Sequence, residues 1–135
     1  MKTKDKVANA IKWIDGLLVT RYRQTEGQLG DKETGFCCLG YGCHVLEVDY
    51  NADDDFSNSF AIEVGLKKES ARFEPLEVVG GYDYCSTLAD LNDSAKLSFN
   101  QIAKFMISRD FSMFEDKVAA KLVEHYKKAQ LAVDH

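Results

Sequence analysis

Apolar residues recur at three- and four-residue steps near both ends of the chain, and this spacing constrains the fold more than any other feature. Near the amino end the repeating positions are Val7, Ala10, Ile11, Ile14, Leu17 and Leu18. Such spacing places apolar side chains on one face of a helix, which can then bury that face against a core. We therefore predict an amphipathic helix that begins after a cap at Thr3 and ends near Val19.

Two short polar patterns near the carboxyl end predict helix starts. Ser98 with Gln101, and Ser112 with Glu115, each have the spacing of a capping box, in which two side chains satisfy backbone N–H groups of the first turn. Apolar stripes follow each pattern: Phe99, Ile102, Ala103 and Met106 in the first, then Phe114, Val118, Leu122 and Tyr126 in the second. We predict one helix to about residue 108 and a terminal helix after it.

The middle of the chain carries turn signals. Glycines break residues 20–36, and Gly80-Gly81 divides residues 67–87, so a short hairpin is predicted in each range. A short helix around residues 60–66, ending at Gly65, is also predicted, although its alternation fits a strand as well. The expected fold is α+β: a mostly helical single globular domain over residues 1–135, with about four to five helices and a small antiparallel sheet of short hairpins.

Composition limits the classes of function. The 135 residues are 45% hydrophobic, which is typical of a globular domain, and the net charge of -5 argues against binding a nucleic-acid backbone. The amino terminus has no signal-peptide pattern, and no apolar run reaches membrane-spanning length. We expect a cytoplasmic protein without a membrane or nucleic-acid partner and without a cofactor. Its four cysteines are then expected to be free thiols: Cys37, Cys38, Cys43 and Cys85.

The segment of residues 35–46 holds three of the four cysteines and one of the three histidines. A metal site is not predicted, because the paired Cys-x-x-Cys spacing of structural zinc sites is absent. A nucleophilic thiol is possible in principle at Cys37 or Cys38, near a helix amino terminus, with His44 or Asp93 assisting. The interpretation we favour is that the cysteines are small buried core residues.

Polar side chains in two separated segments are candidates for a shared pocket. Residues 91–94 offer amide, carboxylate and hydroxyl groups in a turn before a helix, and a hairpin over residues 20–36 would bring further polar groups near them. Such groups also commonly satisfy their own backbone. The predicted ligand-binding set is Tyr22, Gln24, Gly27, Asn92, Asp93 and Ser94.

Three separated pieces of the sequence resemble a family of small proteins from tailed bacteriophages and prophages. They are Trp13 with Tyr22, Gln24, Gly27 and Leu29; Cys37-Cys38-Leu39-Gly40 with Cys43; and Leu91-Asn92-Asp93-Ser94 with Ser98-Phe99 and Ile102-Ala103. The resemblance extends over roughly residues 13 to 107. It departs at His44, where an acidic residue is commoner, and at Ala95, where glycine usually follows the serine. It implies a phage accessory protein acting in the infected cell, and it supplies no catalytic residue.

The leading functional hypothesis is a phage-type accessory protein that binds a host protein or a small polar, nucleotide-like ligand. One alternative is a cysteine-dependent enzyme using Cys37 or Cys38, and another is a virion or assembly component. A homodimer is a further alternative, on the expectation that Phe111, Phe114 and Tyr126 provide more apolar surface than one small core can bury.

Overall fold

The computed structural model describes residues 1–25, 30–31, 33, 35–47, 60, 62–67, 88, 92 and 96–134. The named elements, in chain order, are α1 (Thr3–Val19), β1 (Gly30–Asp31), β2 (Gly35–Phe36), α2 (Cys38–Leu46), α3 (Phe99–Ser108) and α4 (Asp116–Asp134). The prediction of a mostly helical fold is confirmed.

Helix α1 is the centre of the fold, since α2, α3 and α4 all pack against it. Its buried residues are Ala10, Trp13, Ile14 and Leu17. Three of these, all except Trp13, belong to the predicted apolar stripe. The predicted cap is wrong by one residue: Lys2 occupies the N-cap position and makes no side-chain capping bond. Burial of the stripe against three helices therefore stabilises α1, without help from a capping side chain.

Trp13 joins α1 to the start of α2. Its side chain is 0% exposed, and its indole Nε1 donates to the backbone oxygen of Cys38 at 3.1 Å. The ring of Phe60 meets the indole edge-on at a centroid distance of 4.9 Å. A Cβ atom at Gly42 would collide with the Phe60 ring and come within 3.0 Å of Trp13 Nε1. Glycine at this position therefore allows α2 to approach these two rings.

The predicted small antiparallel sheet of short hairpins is not supported beyond one ladder of two residue pairs. Strands β1 and β2 are antiparallel, with Gly30 opposite Phe36 and Asp31 opposite Gly35. In the described part of the preceding segment, one parallel bridge joins Gln24 to Phe36. Arg23 O accepts from Phe36 N and Thr25 N donates to Phe36 O, at 2.8 Å each, so residues 23–25 bond to β2. The hairpin predicted over residues 67–87 lies outside the described residues.

One predicted capping box is confirmed and the other is wrong. At α3, the Ser98 hydroxyl accepts from Gln101 N at 3.1 Å, and the side-chain oxygen Oε1 of Gln101 accepts from Ser98 N at 2.9 Å. Helix α4 begins at Asp116, beyond the Ser112–Glu115 pattern. The reason is that Glu115 has other partners: its carboxylate pairs with Lys6 at 3.1 Å, and its N–H donates to Gly65 O at 2.7 Å.

The short helix predicted around residues 60–66 is confirmed for its described part. Phe60 and residues 62–64 are helical, and Gly65 follows with a φ of +74°. Phe60 and Val64 are fully buried whereas Ile62 is 56% exposed, which is the one-sided burial of a helix at the edge of a core.

Two of the three aromatic residues that suggested a dimer are buried within the chain. Phe111 is 1% exposed and Phe114 is 0% exposed, so the proposed excess of apolar surface is wrong for both. Tyr126 is half-buried, and its hydroxyl donates to Asp15 Oδ1 at 2.8 Å. The homodimer stays a prediction without this support. Within the described part of the chain, no helix has the length and apolar character needed to cross a membrane.

Candidate functional site

The side chain of Asn92 is the centre of the candidate site. It is 1% exposed and is the one buried polar side chain among the described residues. Its Oδ1 accepts from Gln24 Nε2 at 2.8 Å and from the backbone N–H of Cys38 at 3.1 Å, while its Nδ2 donates to Thr25 O at 2.8 Å. We call these four residues, Gln24, Thr25, Cys38 and Asn92, the asparagine junction. It ties the segment after α1 to the first turn of α2.

Gln24 extends the junction to the segment before α3. Its Nε2 donates to Leu97 O at 2.7 Å as well as to Asn92 Oδ1. The glutamine amide has two N–H hydrogens, so these two bonds use its full donor capacity. Gln24 is half-buried, and its two bonds satisfy Leu97 O and the buried Asn92 side chain, which would cost free energy if left unbonded.

The structure brings together two residues of the predicted ligand-binding set, whereas a third, Tyr22, makes aromatic contacts instead. Gln24 and Asn92 are hydrogen-bonded to each other. Tyr22 instead packs edge-on against the rings of Phe36 and His44. Gly27, Asp93 and Ser94 lie outside the described residues. Ligand binding by this set stays a prediction.

The described cysteines are buried free thiols, and two of them have structural roles. Cys37 is the N-cap of α2, and its sulfur accepts from Gly40 N at 3.3 Å. Cys38 is 0% exposed, and its thiol donates to Leu88 O at 3.7 Å. Cys85 lies outside the described residues.

Cys43 lies in the core, where a thiolate is disfavoured. It is 2% exposed. Burial, with a smaller contribution from Cys37, raises the pKa of Cys43 from 9.0 to about 12. Cys43 is therefore a neutral thiol at neutral pH, which fits the interpretation of a small core residue.

His44 contacts aromatic rings. Its imidazole stacks on Phe36 with centroids 5.0 Å apart and an interplanar angle of 21°, and the Tyr22 ring lies edge-on at 5.3 Å. Among the described residues, no hydrogen bond joins His44 to a cysteine thiol. The other assisting residue of the enzyme hypothesis, Asp93, lies outside the described residues. Nor does the described part of the chain group three His, Cys, Asp or Glu side chains closely enough to hold a metal ion.

Sequence reasoning missed the backbone partners of the junction. Cys38 was considered for its thiol, but its N–H contacts Asn92 and its carbonyl contacts Trp13. A signal was present in principle, because the first N–H groups of any helix need acceptors from outside that helix. The sequence does not show which distant side chain provides the acceptor.

The comparisons with known proteins give a family without an assigned activity. A family described as a domain of unknown function, DUF8296, matches residues 3–79. The match includes α1, β1, β2 and α2, and it therefore contains Gln24, Thr25 and Cys38 of the junction. No curated protein and no solved structure matches the chain. Because the match extends over more than half of the sequence, this protein belongs to the DUF8296 family.

Proposed function

We propose that this protein is a phage-type accessory protein that acts in the cytoplasm of the infected cell by binding a host protein. The observation that carries this proposal is the asparagine junction. It engages polar groups from all three phage-like sequence pieces, which are represented by Gln24, Cys38 and Asn92, in bonds within the chain. Those pieces then serve to build a scaffold, and the scaffold offers surfaces to a partner.

The junction favours a protein partner over a small polar ligand. A nucleotide-like ligand would need free donors and acceptors, yet both N–H hydrogens of the Gln24 amide already have acceptors and Asn92 Oδ1 already accepts twice. A ligand that displaced these bonds would have to replace each of them, because a buried polar group left unbonded costs about 1–3 kcal/mol. A protein partner uses exposed side chains and leaves the junction intact.

The cysteine-dependent enzyme is the second candidate, on one observation. Cys37 caps α2 and its sulfur accepts from Gly40 N at 3.3 Å, which places this thiol at a helix amino terminus, where nucleophilic cysteines are commonly found. Iodoacetamide labelling at neutral pH separates the two functions. If the protein only binds a partner, we expect no thiol to react faster than a free cysteine. Cys37→Ser and the unchanged protein should then be labelled at the same rate. Fast labelling lost in Cys37→Ser would support the enzyme.

Native mass spectrometry of the protein purified gently from the cell that produces it tests the proposed function. We expect the native spectrum to show this chain in a complex with a second protein chain. Denaturing the sample should separate the two, so that this chain then appears at its own mass. A bound mass of a few hundred daltons would favour the small polar ligand. A large assembly of identical chains would favour the virion component, and a bare monomer would contradict the proposal.

A further inference from the structure

Exposed cationic and aromatic residues follow one another where the chain leaves α1. Arg21 and Arg23 are exposed, and Tyr22 between them is 41% exposed. His44 is half-buried beside the tyrosine ring. We call these four residues the arginine–tyrosine face. These two positive charges, two positions apart, belong to a chain whose net charge is -5.

The tyrosine of this face is held in place by aromatic contacts. Its ring meets Phe36 and His44 edge-on, each at a centroid distance of 5.3 Å, and lies 6.2 Å from Tyr41. Its N–H also donates to Thr20 Oγ1 at 3.3 Å. A side chain fixed before binding loses little conformational entropy when a partner covers it, so an exposed ring of this kind is well suited to an interface.

The backbone beneath the two arginines is also anchored. Arg23 O accepts from Phe36 N at 2.8 Å, and the next residue, Gln24, belongs to the asparagine junction. Neither arginine has an ion-pair partner among the described residues, although Lys6, Lys121 and Lys127 do. A guanidinium group pairs with a carboxylate through two parallel hydrogen bonds, which suits both arginines to a carboxylate partner.

We infer that the arginine–tyrosine face is the docking surface for an acidic segment of a partner protein. Carboxylates of that segment pair with Arg21 and Arg23, and an apolar side chain between them packs on Tyr22. Charge complementarity selects the acidic partner, and arginine and tyrosine are residue types that commonly dominate binding energy at protein interfaces. This inference rests on the proposed function, because it names the surface that a host protein would occupy.

The test uses a fluorescein-labelled peptide of glutamates around one central phenylalanine, followed by fluorescence anisotropy at low and high salt. We expect the unchanged protein to bind the peptide, with affinity falling as salt rises. Arg21→Glu/Arg23→Glu is expected to bind at least about tenfold more weakly. The matched control is Lys4→Glu/Lys12→Glu, which changes the charge equally at two exposed positions of α1 and is expected to keep most of the affinity.

Each other outcome contradicts the inference. No binding by the unchanged protein, or equal losses in the arginine and lysine variants, would remove this face as the docking surface. A single-stranded DNA of equal charge that bound more tightly through the same arginines would replace the acidic segment with a nucleic acid. If the arginine variant does not fold, NMR shift mapping on the unchanged protein decides, with peptide-induced shifts expected at residues 21–23 and 44.

The failure of this inference is distinguishable from the failure of the proposed function. A partner protein retained in the native spectrum by both the unchanged protein and Arg21→Glu/Arg23→Glu would leave the binding function standing and place the interface elsewhere. A partner retained only by the unchanged protein and the lysine control would support both.

Discussion

The amides of Gln24 and Asn92 meet in a hydrogen bond of 2.8 Å although 68 positions separate them in the sequence. Through this contact, the segment after α1 and the region before α3 are joined beside the first turn of α2. A contact of such long range is formed only when the chain has folded around it, so its loss is expected to affect the whole fold.

Asn92→Ala is expected to lower the free energy of unfolding by about 3 kcal/mol, because the buried N–H of Cys38 and the carbonyl of Thr25 both lose a partner. Urea denaturation measures this change. Asn100→Ala is the control, since it removes one partly buried bond to Leu18 O and is expected to cost about 1 kcal/mol. Equal losses of unfolding free energy in the two variants would mean that the junction stabilises the fold no more than an ordinary partly buried hydrogen bond.

The two capping-box patterns are expected to respond differently to mutation. Ser98→Ala removes the hydroxyl that accepts from Gln101 N, so a loss of about 1 kcal/mol is expected in the free energy of unfolding. Ser112→Ala alters an exposed residue outside any helix and is expected to change it by less than about 0.5 kcal/mol. Thermal and urea unfolding of both variants checks the contrast, and a costly Ser112→Ala would show that the pattern there does act as a cap.

Gly42→Ala is expected to destabilise the protein by about 1–3 kcal/mol, because the new methyl group meets the Phe60 ring and Trp13. Phe60→Leu, which shortens the obstructing side chain, provides the check. The double variant is expected to be more stable than the sum of the two single losses predicts, since the substitutions share one contact. Simple additivity would argue against a collision at this site.

Cys43 is expected to make stability fall at alkaline pH. Its pKa is raised from 9.0 to about 12 in the folded protein, so above pH 9 the unfolded chain releases a proton that the folded chain retains. The contribution is fully present below pH 9 and declines by at most about 1.4 kcal/mol per pH unit above it. Cys43→Ala should therefore show a shallower decline between pH 9 and 10 in urea unfolding, and parallel declines would contradict the assignment.

The helices were predictable because their signals are local. The stripe of α1 and the Ser98–Gln101 box each lie within a few turns of chain, and both appear in the structure. The Ser112–Glu115 box failed for a non-local reason: Glu115 is recruited by Lys6, 109 positions away. No pattern in the sequence near Glu115 indicates that Lys6 is its partner.

The candidate site was predictable only in part. The sequence indicated Gln24 and Asn92 as members of one six-residue ligand-binding set, but it could not show that their amides would bond to Thr25, Leu97 and the Cys38 backbone. Those partners depend on how α2 sits between two distant segments. The exposure of Tyr22 likewise depends on the packing of Phe36 and His44 beneath it.

A double-mutant cycle on Gln24 and Asn92 tests most directly whether the junction is a cooperative part of the scaffold. The free energies of unfolding of the unchanged protein, Gln24→Ala, Asn92→Ala and the double variant would be measured in urea. We predict a coupling free energy of about 1 kcal/mol or more, because the second substitution removes a bond that the first has already broken. Additive losses, within about 0.3 kcal/mol, would show that the two amides act independently and would contradict the junction.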